Sequence, residues 1–551
     1  MKPGFGTLPH MRKLLPSWRD WRHVRKTWRA DLVAGITVGI VALPLALAFG
    51  VSSGVGAAAG LITAVVAGII AAVFGGSHVQ VSGPTGAMVV ILAPIVAEHG
   101  VSSIMLLSIL AGIILVISGV LGLGKAISLI PWSVVEGFTL GIATIIAMQQ
   151  IPLALGVSIP AGHSTLQSVL LAFQAALWPT SIYTVGIVAS VVVLILATEK
   201  IAPKLPASLM AVIVSSIAVW LIALKVPVIG KLPHALPAPS APTLSLYTVE
   251  QLIPTACAVA MLAGIESLLS ARVAAGMPGQ GSYHPDRELV GQGLASIGAG
   301  VFGGMPATGA IARTAVNVKS GARSRLAAVT HAIVLLCVVY FVSPLVSQIP
   351  LATLAGVLFV TATRMVSPVT LRKVTTSTRS DMVVFWMTAL VTVTFDLIQA
   401  IIIGVLLAAV LAIRHLSRMS GVVRLPLPIP PMPGDEHIAL LRLDGSMFFG
   451  VADRVAEEIG EYGRDIRVVV FSMSHVGILD ASGANALADV ISRFERQGIV
   501  VYMKGLRPEH LRTARNVKLF GSLPIEDHLF ETTEQAVARA RQTVQEYVAN
   551  H

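Results

Sequence analysis

Between Asp31 and about Leu416 the chain is a succession of apolar runs of about 20 residues. At ~1.5 Å of rise per helical residue, each such run is long enough to cross a hydrocarbon core of ~30 Å. Lipid offers no hydrogen bonds to backbone N–H and C=O groups, so runs of this kind must be helical. The 551 residues are 55% hydrophobic and only 12% charged, which excludes an ordinary soluble enzyme. The class implied is a polytopic α-helical membrane protein.

Within that apolar region one pattern occurs twice. Val73-Phe74-Gly75-Gly76 returns as Val301-Phe302-Gly303-Gly304, an offset of 301 − 73 = 228. Thr85-Gly86-Ala87 returns as Thr308-Gly309-Ala310, an offset of 308 − 85 = 223. Two copies at one long spacing predict a duplicated membrane unit. Each copy reads as a helix, a Gly/Pro break, a short extended piece and a short new helix. Broken backbone at membrane depth is tolerated where it lines a cavity. Two half-helix N-termini could therefore direct partial positive charge at one anion.

Hydrophobic segmentation predicts seven spans in the first half, near 31–52, 57–75, 84–98, 102–122, 131–151, 181–200 and 206–225. Segment 163–178 is weaker and reads as interfacial. Seven more follow near 250–275, 288–303, 308–320, 326–348, 351–366, 381–396 and 397–416. The third and tenth are too short to cross alone and fall where the repeat places its breaks. With the N-terminus inside, the cytoplasmic connections carry Lys125, Lys200, Lys204, Arg323, Arg325, Arg372, Lys373, Arg414 and Arg418, while 152–180 holds no Lys or Arg. Lys225 and Lys231 are the exceptions. The bias predicts 14 spans with both termini cytoplasmic, and an odd number in each half makes the two repeats inverted.

Residues 1–30 form a basic cytoplasmic segment with Trp18, Trp21 and Trp28, suited to an interface. No cleavable leader is evident, so the first span is expected to remain as an anchor. The net charge of +11 is explained by basic residues beside spans, and no nucleic-acid partner is implied. Cys257 and Cys337 fall inside spans and read as packing residues, not as a disulfide or metal pair. His78, His99 and His331 read as polar groups near helix ends, and Asp31, Glu136 and Asp381 as helix-end residues. Asp396, between two closely spaced spans, reads as solvated. Gly50, Gly54, Gly56 and Gly60 read as a close-packing stripe.

The transport region is expected at 31–418, followed by a Pro-rich linker at 419–434 and a small α/β domain at 435–551. In that tail HIALLRLDG, IRVVVFSM and IVVYMKG read as strands. VADRVAEEIGEYG (451–463), ASGANALADVISRFERQG and the terminal ETTEQAVARARQTVQEYV read as helices.

Three ionisable or polar residues in the spans are functional candidates. Arg313 lies five residues after Thr308 in the short tenth span; an intramembrane Arg lines a cavity or pairs with a carboxylate. Glu266 and Ser270 are four apart on one face of the eighth span. Glu266 could carry a proton, or pair with Arg313 or Arg272. No Walker-type run and no Ser/His/Asp or metal constellation is found, so the chain does not read as an enzyme or a nucleotide-driven pump.

TGAIARTAVNVKSGARS (308–324) resembles the tenth-span signature of bacterial SulP anion transporters. Asp480-Ala481-Ser482-Gly483 is similar to the loop of their STAS domains, with Ala481 at the position of a phosphorylatable Ser in stand-alone relatives. The resemblance runs from the first span to the STAS tail. It implies a 7+7 inverted repeat with two half-helices, divided into core and gate bundles. It also implies an anion site between Thr85, Gly86, Ala87 and Met88 on one side and Thr308, Gly309, Ala310 and Ile311 on the other, with Arg313 beside them. Glycines there allow close approach to backbone N–H groups, and threonine hydroxyls add donors. In related bicarbonate transporters the positions of Glu266 and Ser270 look like Asp and Thr that help hold sodium. Leu45 and Phe49 in VALPLALAFG, and VSGPTGAM, look like the bicarbonate branch, whereas the tenth-span signature resembles sulfate permeases.

These readings converge on a secondary active transporter of sulfate or bicarbonate in the bacterial inner membrane, coupled to H⁺ or Na⁺. No cofactor is expected. A homodimer and a cytoplasmic protein partner of the STAS domain are the expected associations. Alternatives are a dicarboxylate transporter, a passive anion channel or sensor, a nucleobase permease, and a membrane anchor presenting a STAS module.

Overall fold

Helices form where the apolar runs fall, and their ends are set by glycine, proline and polar side chains. The computed structural model describes residues 14–550 apart from 23, 128–129, 158, 160–163, 204, 231, 243–245, 367, 396, 429, 448–465 and 522–524. The helix expected at 451–463, Asp396, Lys204, Lys231 and the first thirteen residues lie outside the described residues. Two compact units result, Met1–Val405 and Leu406–His551.

The first half supplies α1 (Val24–Ser52), α2 (Ala57–Phe74), β1 (Ser82–Gly83), α3 (Gly86–His99), α4 (Ser103–Val120), α5 (Trp132–Ala154), α6 (Trp178–Ile201) and α7 (Ala207–Leu221). The second supplies α8 (Leu246–Ala275), α9 (Pro285–Val301), β2 (Thr308–Gly309), α10 (Ile311–Lys319), α11 (Arg325–Cys337), α12 (Leu351–Met365), α13 (Arg379–Thr394) and α14 (Leu397–Met419). Segment 163–178 contains a short helix, Thr165–Ala175, whose Ser164 and Gln167 form a reciprocal cap. Among the described residues, nine helices are long and apolar enough to cross a membrane. Helices α3 and α7 are apolar but shorter. Helix α10, at nine residues, is shorter still.

Small residues let these helices approach closely. A Cβ on Gly60 of α2 would stand 3.0 Å from the Gly50 backbone of α1, so a side chain at this crossing would force the helices apart. A Cβ on Gly112 of α4 would likewise stand 2.6 Å from the Gly293 carbonyl of α9.

The first Val-Phe-Gly-Gly turn is held by charges from the second half. Arg325 donates to the carbonyls of Ala72 (2.8 Å) and Gly75 (2.8 Å), and Arg287 to that of Phe74 (3.2 Å). The Glu288 carboxylate accepts from the amides of Gly76 (2.8 Å) and Ser77 (3.0 Å). These are the carbonyls and amides that a helix end leaves without partners. Arg287 also donates to Asp20 at 2.7 Å, tying the N-terminal segment to α9. The second turn is held reciprocally: Thr63 of α2 accepts from the Met305 amide at 2.7 Å.

Asp31 lies inside α1 and accepts from the Arg323 and Ser324 amides (2.7 and 3.0 Å), so it serves the start of α11. His331 is fully buried within α11 rather than near a helix end. Cys257 and Cys337 are exposed, on outward helix faces, and not packed inside.

In the second unit β3 (Gly421–Leu425), β4 (Ile438–Met447), β5 (Val468–Ser472), β7 (Val500–Lys504) and β8 (Leu529–Phe530) form a sheet in that order, with β6 (Val476–Leu479) beside β4. The β3–β4 pair is antiparallel and the others are parallel. Strand β3 corrects the expectation of a linker through 419–434: GVVRL pairs with β4 before the prolines begin, because prolines cannot donate to a ladder but this run can. Helix α15 (Ala481–Arg496) buries Leu487, Val490, Ile491 and Phe494 in one core, and α17 (Thr533–Asn550) packs Ala536, Ala540 and Val544 in another. Between them in sequence, α16 (Pro508–Asn516) was not foreseen. Arg541 grips Asp435 through two hydrogen bonds of 2.8 and 2.7 Å.

Candidate functional site

The two breaks meet. β1 and β2 pair antiparallel, Ser82 opposite Gly309 and Gly83 opposite Thr308, and the Ala310 amide donates to the Val81 carbonyl at 2.9 Å. Helices α3 and α10 start within three residues of this ribbon and leave from its opposite ends. Side chains would crowd it. A Cβ on Gly83 would stand 2.7 Å from Arg313 Nη1, and one on Gly309 would stand 3.1 Å from Ser267 Cα.

Neither helix has a side-chain cap. Thr85, extended at φ −128° and ψ 162°, precedes Gly86 without capping α3, and Ala310 precedes Ile311 without capping α10. Among the described residues the first amides of both helices have no side-chain acceptor, and each end carries ~+0.5 charge. Gly86, Ala87 and Met88 form the buried first turn of α3, with Phe49 of α1 standing 3.3 Å from the Gly86 Cβ position. Ile311, the first residue of α10, is 38% exposed, so this tip faces accessible space.

Arg313 is 2% exposed. Its Nη2 donates to the Pro84 carbonyl, and its Nη1 is buried without a hydrogen-bond partner. A buried guanidinium N–H with no acceptor costs free energy, which an anionic ligand would recover. Among the described residues Arg313 forms no ion pair, although it and Glu266 act on each other electrostatically. Glu266, part-buried on α8, accepts from the Thr85 hydroxyl at 2.9 Å.

Ser270, one turn further along α8, donates to Thr314 at 3.1 Å, and Thr314 accepts from the Val81 amide at 3.0 Å. The two α8 residues thus engage opposite ends of the ribbon. Ser267, between them, was missed by sequence reasoning. Its hydroxyl accepts from the Gly309 amide at 2.9 Å and lies 3.1 Å from the Thr308 hydroxyl, which also donates to the Ala263 carbonyl at 3.2 Å. Gln80 donates to the Ser267 carbonyl at 3.3 Å, and Ser82 to Gln292 at 2.9 Å. Serines beside glutamates are too common for sequence alone to rank Ser267; only the ribbon register singles it out. Among the described residues no cluster of His, Cys, Asp and Glu could hold a metal ion.

In the tail, the Asp480 carboxylate accepts from the Gly483 amide at 2.7 Å and caps α15, Ser482 is exposed, and Gly483 is buried. A Cβ on Gly483 would stand 2.6 Å from the Met447 carbonyl carbon, so the loop tolerates no side chain there.

Known proteins share this arrangement of sequence and fold. Residues 28–388 match the Sulfate permease family and residues 430–536 match the STAS domain. The chain is 34% identical over 511 residues to "Putative sulfate transporter YvdB" of Bacillus subtilis, covering 92% of this chain and 96% of that one. It is 30% identical over 540 residues to the bicarbonate transporter BicA of a Picosynechococcus species, covering 93% and 94%. The transmembrane domain of a cyanobacterial BicA superposes with a TM-score of 0.61 at 30% identity, over 68% of this chain and 97% of that one. The murine Solute Carrier 26 family member A9 anion transporter, in its inward-facing state, superposes with a TM-score of 0.86 over 98% and 96%, and at 16% identity shows the fold alone. The protein is a polytopic α-helical membrane protein with a soluble C-terminal domain, and it belongs to the sulfate permease family.

Proposed function

We propose that the protein is a secondary active transporter that carries a small inorganic oxyanion, sulfate or bicarbonate, across the bacterial inner membrane in symport with H⁺ or Na⁺. The observation that carries this reading is the β1–β2 ribbon, which brings two uncapped helix N-termini and the buried Arg313 to one place. Fixed donors of this kind select charge and leave the solute chemically unchanged. Thr85, Gly86, Ala87 and Met88 face Thr308, Gly309, Ala310, Ile311 and Arg313 as the anion-binding residues. Glu266 is the carboxylate through which the driving cation acts, with Ser270 supporting the same helix face.

The topology consistent with this mechanism is 14 spans in a 7+7 inverted repeat, with α3 and α10 as half-helices and both termini cytoplasmic. The bundle bearing the ribbon moves against the other to alternate access. The protein works as a homodimer, with the STAS domain, including Asp480, Ser482 and Gly483, available to a cytoplasmic partner. Relatives named for sulfate and for bicarbonate support both substrates.

The test is uptake into proteoliposomes of labelled sulfate, bicarbonate and fumarate under separately imposed Na⁺ and pH gradients. Concentrative uptake of sulfate or bicarbonate is expected. Flux that only equilibrates indicates a channel, fumarate preference a dicarboxylate carrier, and absence of flux ends the transporter reading.

A further inference from the structure

Thr85 stands where a helix cap belongs and does something else. Threonine at this position ordinarily turns its hydroxyl oxygen to an amide of the first helical turn. Here it makes no such bond and donates its hydrogen to the Glu266 carboxylate at 2.9 Å. A threonine hydroxyl has one hydrogen, and an ionised carboxylate can only accept. While Glu266 is charged, it draws that hydrogen away from the tip of α3.

We propose that Thr85 is the positioning residue that links the carried cation to the anion, its one hydroxyl hydrogen serving Glu266 or the anion but never both. This rests on the transporter function proposed above and names how its two sites communicate. When the cation neutralises Glu266, the direction of the bond reverses. A protonated carboxyl becomes a donor to the Thr85 oxygen; a sodium ion attracts the lone pairs of both. In either case the Thr85 hydrogen turns toward the helix tip and joins the free amides there. The electrostatics act in the same sense. Two helix ends at ~+0.5 each and Arg313 at +1, set against Glu266, leave a field of about +1, which rises to about +2 once Glu266 is neutral. Cation and anion therefore reinforce each other's binding, as symport requires.

Arg313 is the charged group that acts on Glu266 from a neighbouring element, and His331 on α11 in turn feels Arg313. Glu98 and His99 close the opposite end of α3, and Arg287 and Glu288 are engaged at the α2 turn.

The experiment measures sulfate and bicarbonate affinity by calorimetry on the full-length protein in nanodiscs, with Na⁺ varied at fixed pH and pH varied at fixed Na⁺. The arm that moves the affinity identifies the cation. Wild type is expected to bind anion about 10-fold more tightly with the cation than without it. Thr85→Val should lose a factor of about 3 or more of that dependence, and Thr85→Ser should keep it, since serine retains the hydrogen. Glu266→Gln, whose amide can donate to the Thr85 oxygen, should bind anion tightly without any cation. Full cation dependence in Thr85→Val overturns the proposal, as does a Glu266→Gln protein that binds anion as weakly as cation-free wild type. Where Thr85→Val does not fold, Thr85→Ser and Glu266→Gln decide the question alone. Wild type that binds neither anion under any condition overturns the transporter reading itself.

Discussion

The guanidinium of Arg313, on α10, donates to the carbonyl of Pro84, the residue that leads into Thr85 and α3. One side chain thus spans the two chain breaks that the sequence places more than two hundred residues apart. It fixes a positive charge beside both helix tips, and among the described residues no carboxylate is in ion-pair contact with it.

Arg313→Ala should reduce anion affinity by at least about 10-fold, the equivalent of one charge-assisted hydrogen bond, and bring uptake to background. Size-exclusion profiles should show expression largely unchanged. Uptake at the wild-type rate removes Arg313 from the site.

Gly83→Ala should impair transport while changing no polar group, because the added methyl falls where Arg313 Nη1 lies, 2.7 Å from the Cβ position. Restoration of uptake in the double variant with Arg313→Lys, whose slimmer head gives room, would identify displacement of the guanidinium as the cause. Unaltered uptake in Gly83→Ala would show the ribbon to be more compliant than its spacing implies.

Ser267→Ala should lower thermal stability in detergent by about 1–3 kcal/mol, since it strips the acceptor from the buried Gly309 amide. Ser267→Thr keeps that acceptor and should lose less. Equal melting of alanine variant and wild type would assign the Gly309 amide another partner.

Asp20→Ala should destabilise the membrane unit by about 1–3 kcal/mol, because Arg287, with 8% of its side chain exposed, loses its acceptor. Burial alone would raise the Asp20 pKa, but the Arg287 hydrogen bond and charge, with Ser17, hold it below its ordinary value. A lowered folded-state value contributes stability above the unfolded carboxylate range and loses it as pH falls through the folded value. Wild type should therefore lose stability on acidification more steeply than Asp20→Asn, as read by melting between neutral and acid pH.

Hydrogen bonds from Arg541 hold the Asp435 carboxyl below its usual range, so this pair too stabilises at neutral pH and fades as pH falls through the lowered value. Asp435→Asn should cost about 0.5–1 kcal/mol locally, read as faster amide exchange near His437. No change in exchange would show that Arg541 holds the prolines through Pro428 and Pro430 without the carboxylate.

Sequence made the membrane region legible because hydrophobic run length and the loop charges around Lys125, Arg323 and Arg372 are one-dimensional signals. The repeated Val-Phe-Gly-Gly and Thr-Gly-Ala fixed attention on the breaks for the same reason. What stayed hidden is pairwise. A ladder of only two residues on each strand, Ser82–Gly83 with Thr308–Gly309, carries no alternation to read, and Ser267 gains significance only from that register. Arg287, Glu288 and Arg325 carry no one-dimensional mark of burial, although all three are buried around the α2 turn. GVVRL runs straight into the prolines that follow it, and its pairing with β4 depends on residues fifteen and more positions away.

The turn after α2 has a consequence for biogenesis. Its carbonyls at Ala72 and Gly75 and its amides at Gly76 and Ser77 bond to Arg325 and Glu288, far along the chain. While the ribosome is still making the intervening two hundred residues, that polar corner waits in or near lipid with water or a chaperone as its only company. Two separately encoded halves are therefore expected to need each other's company for this corner to be satisfied.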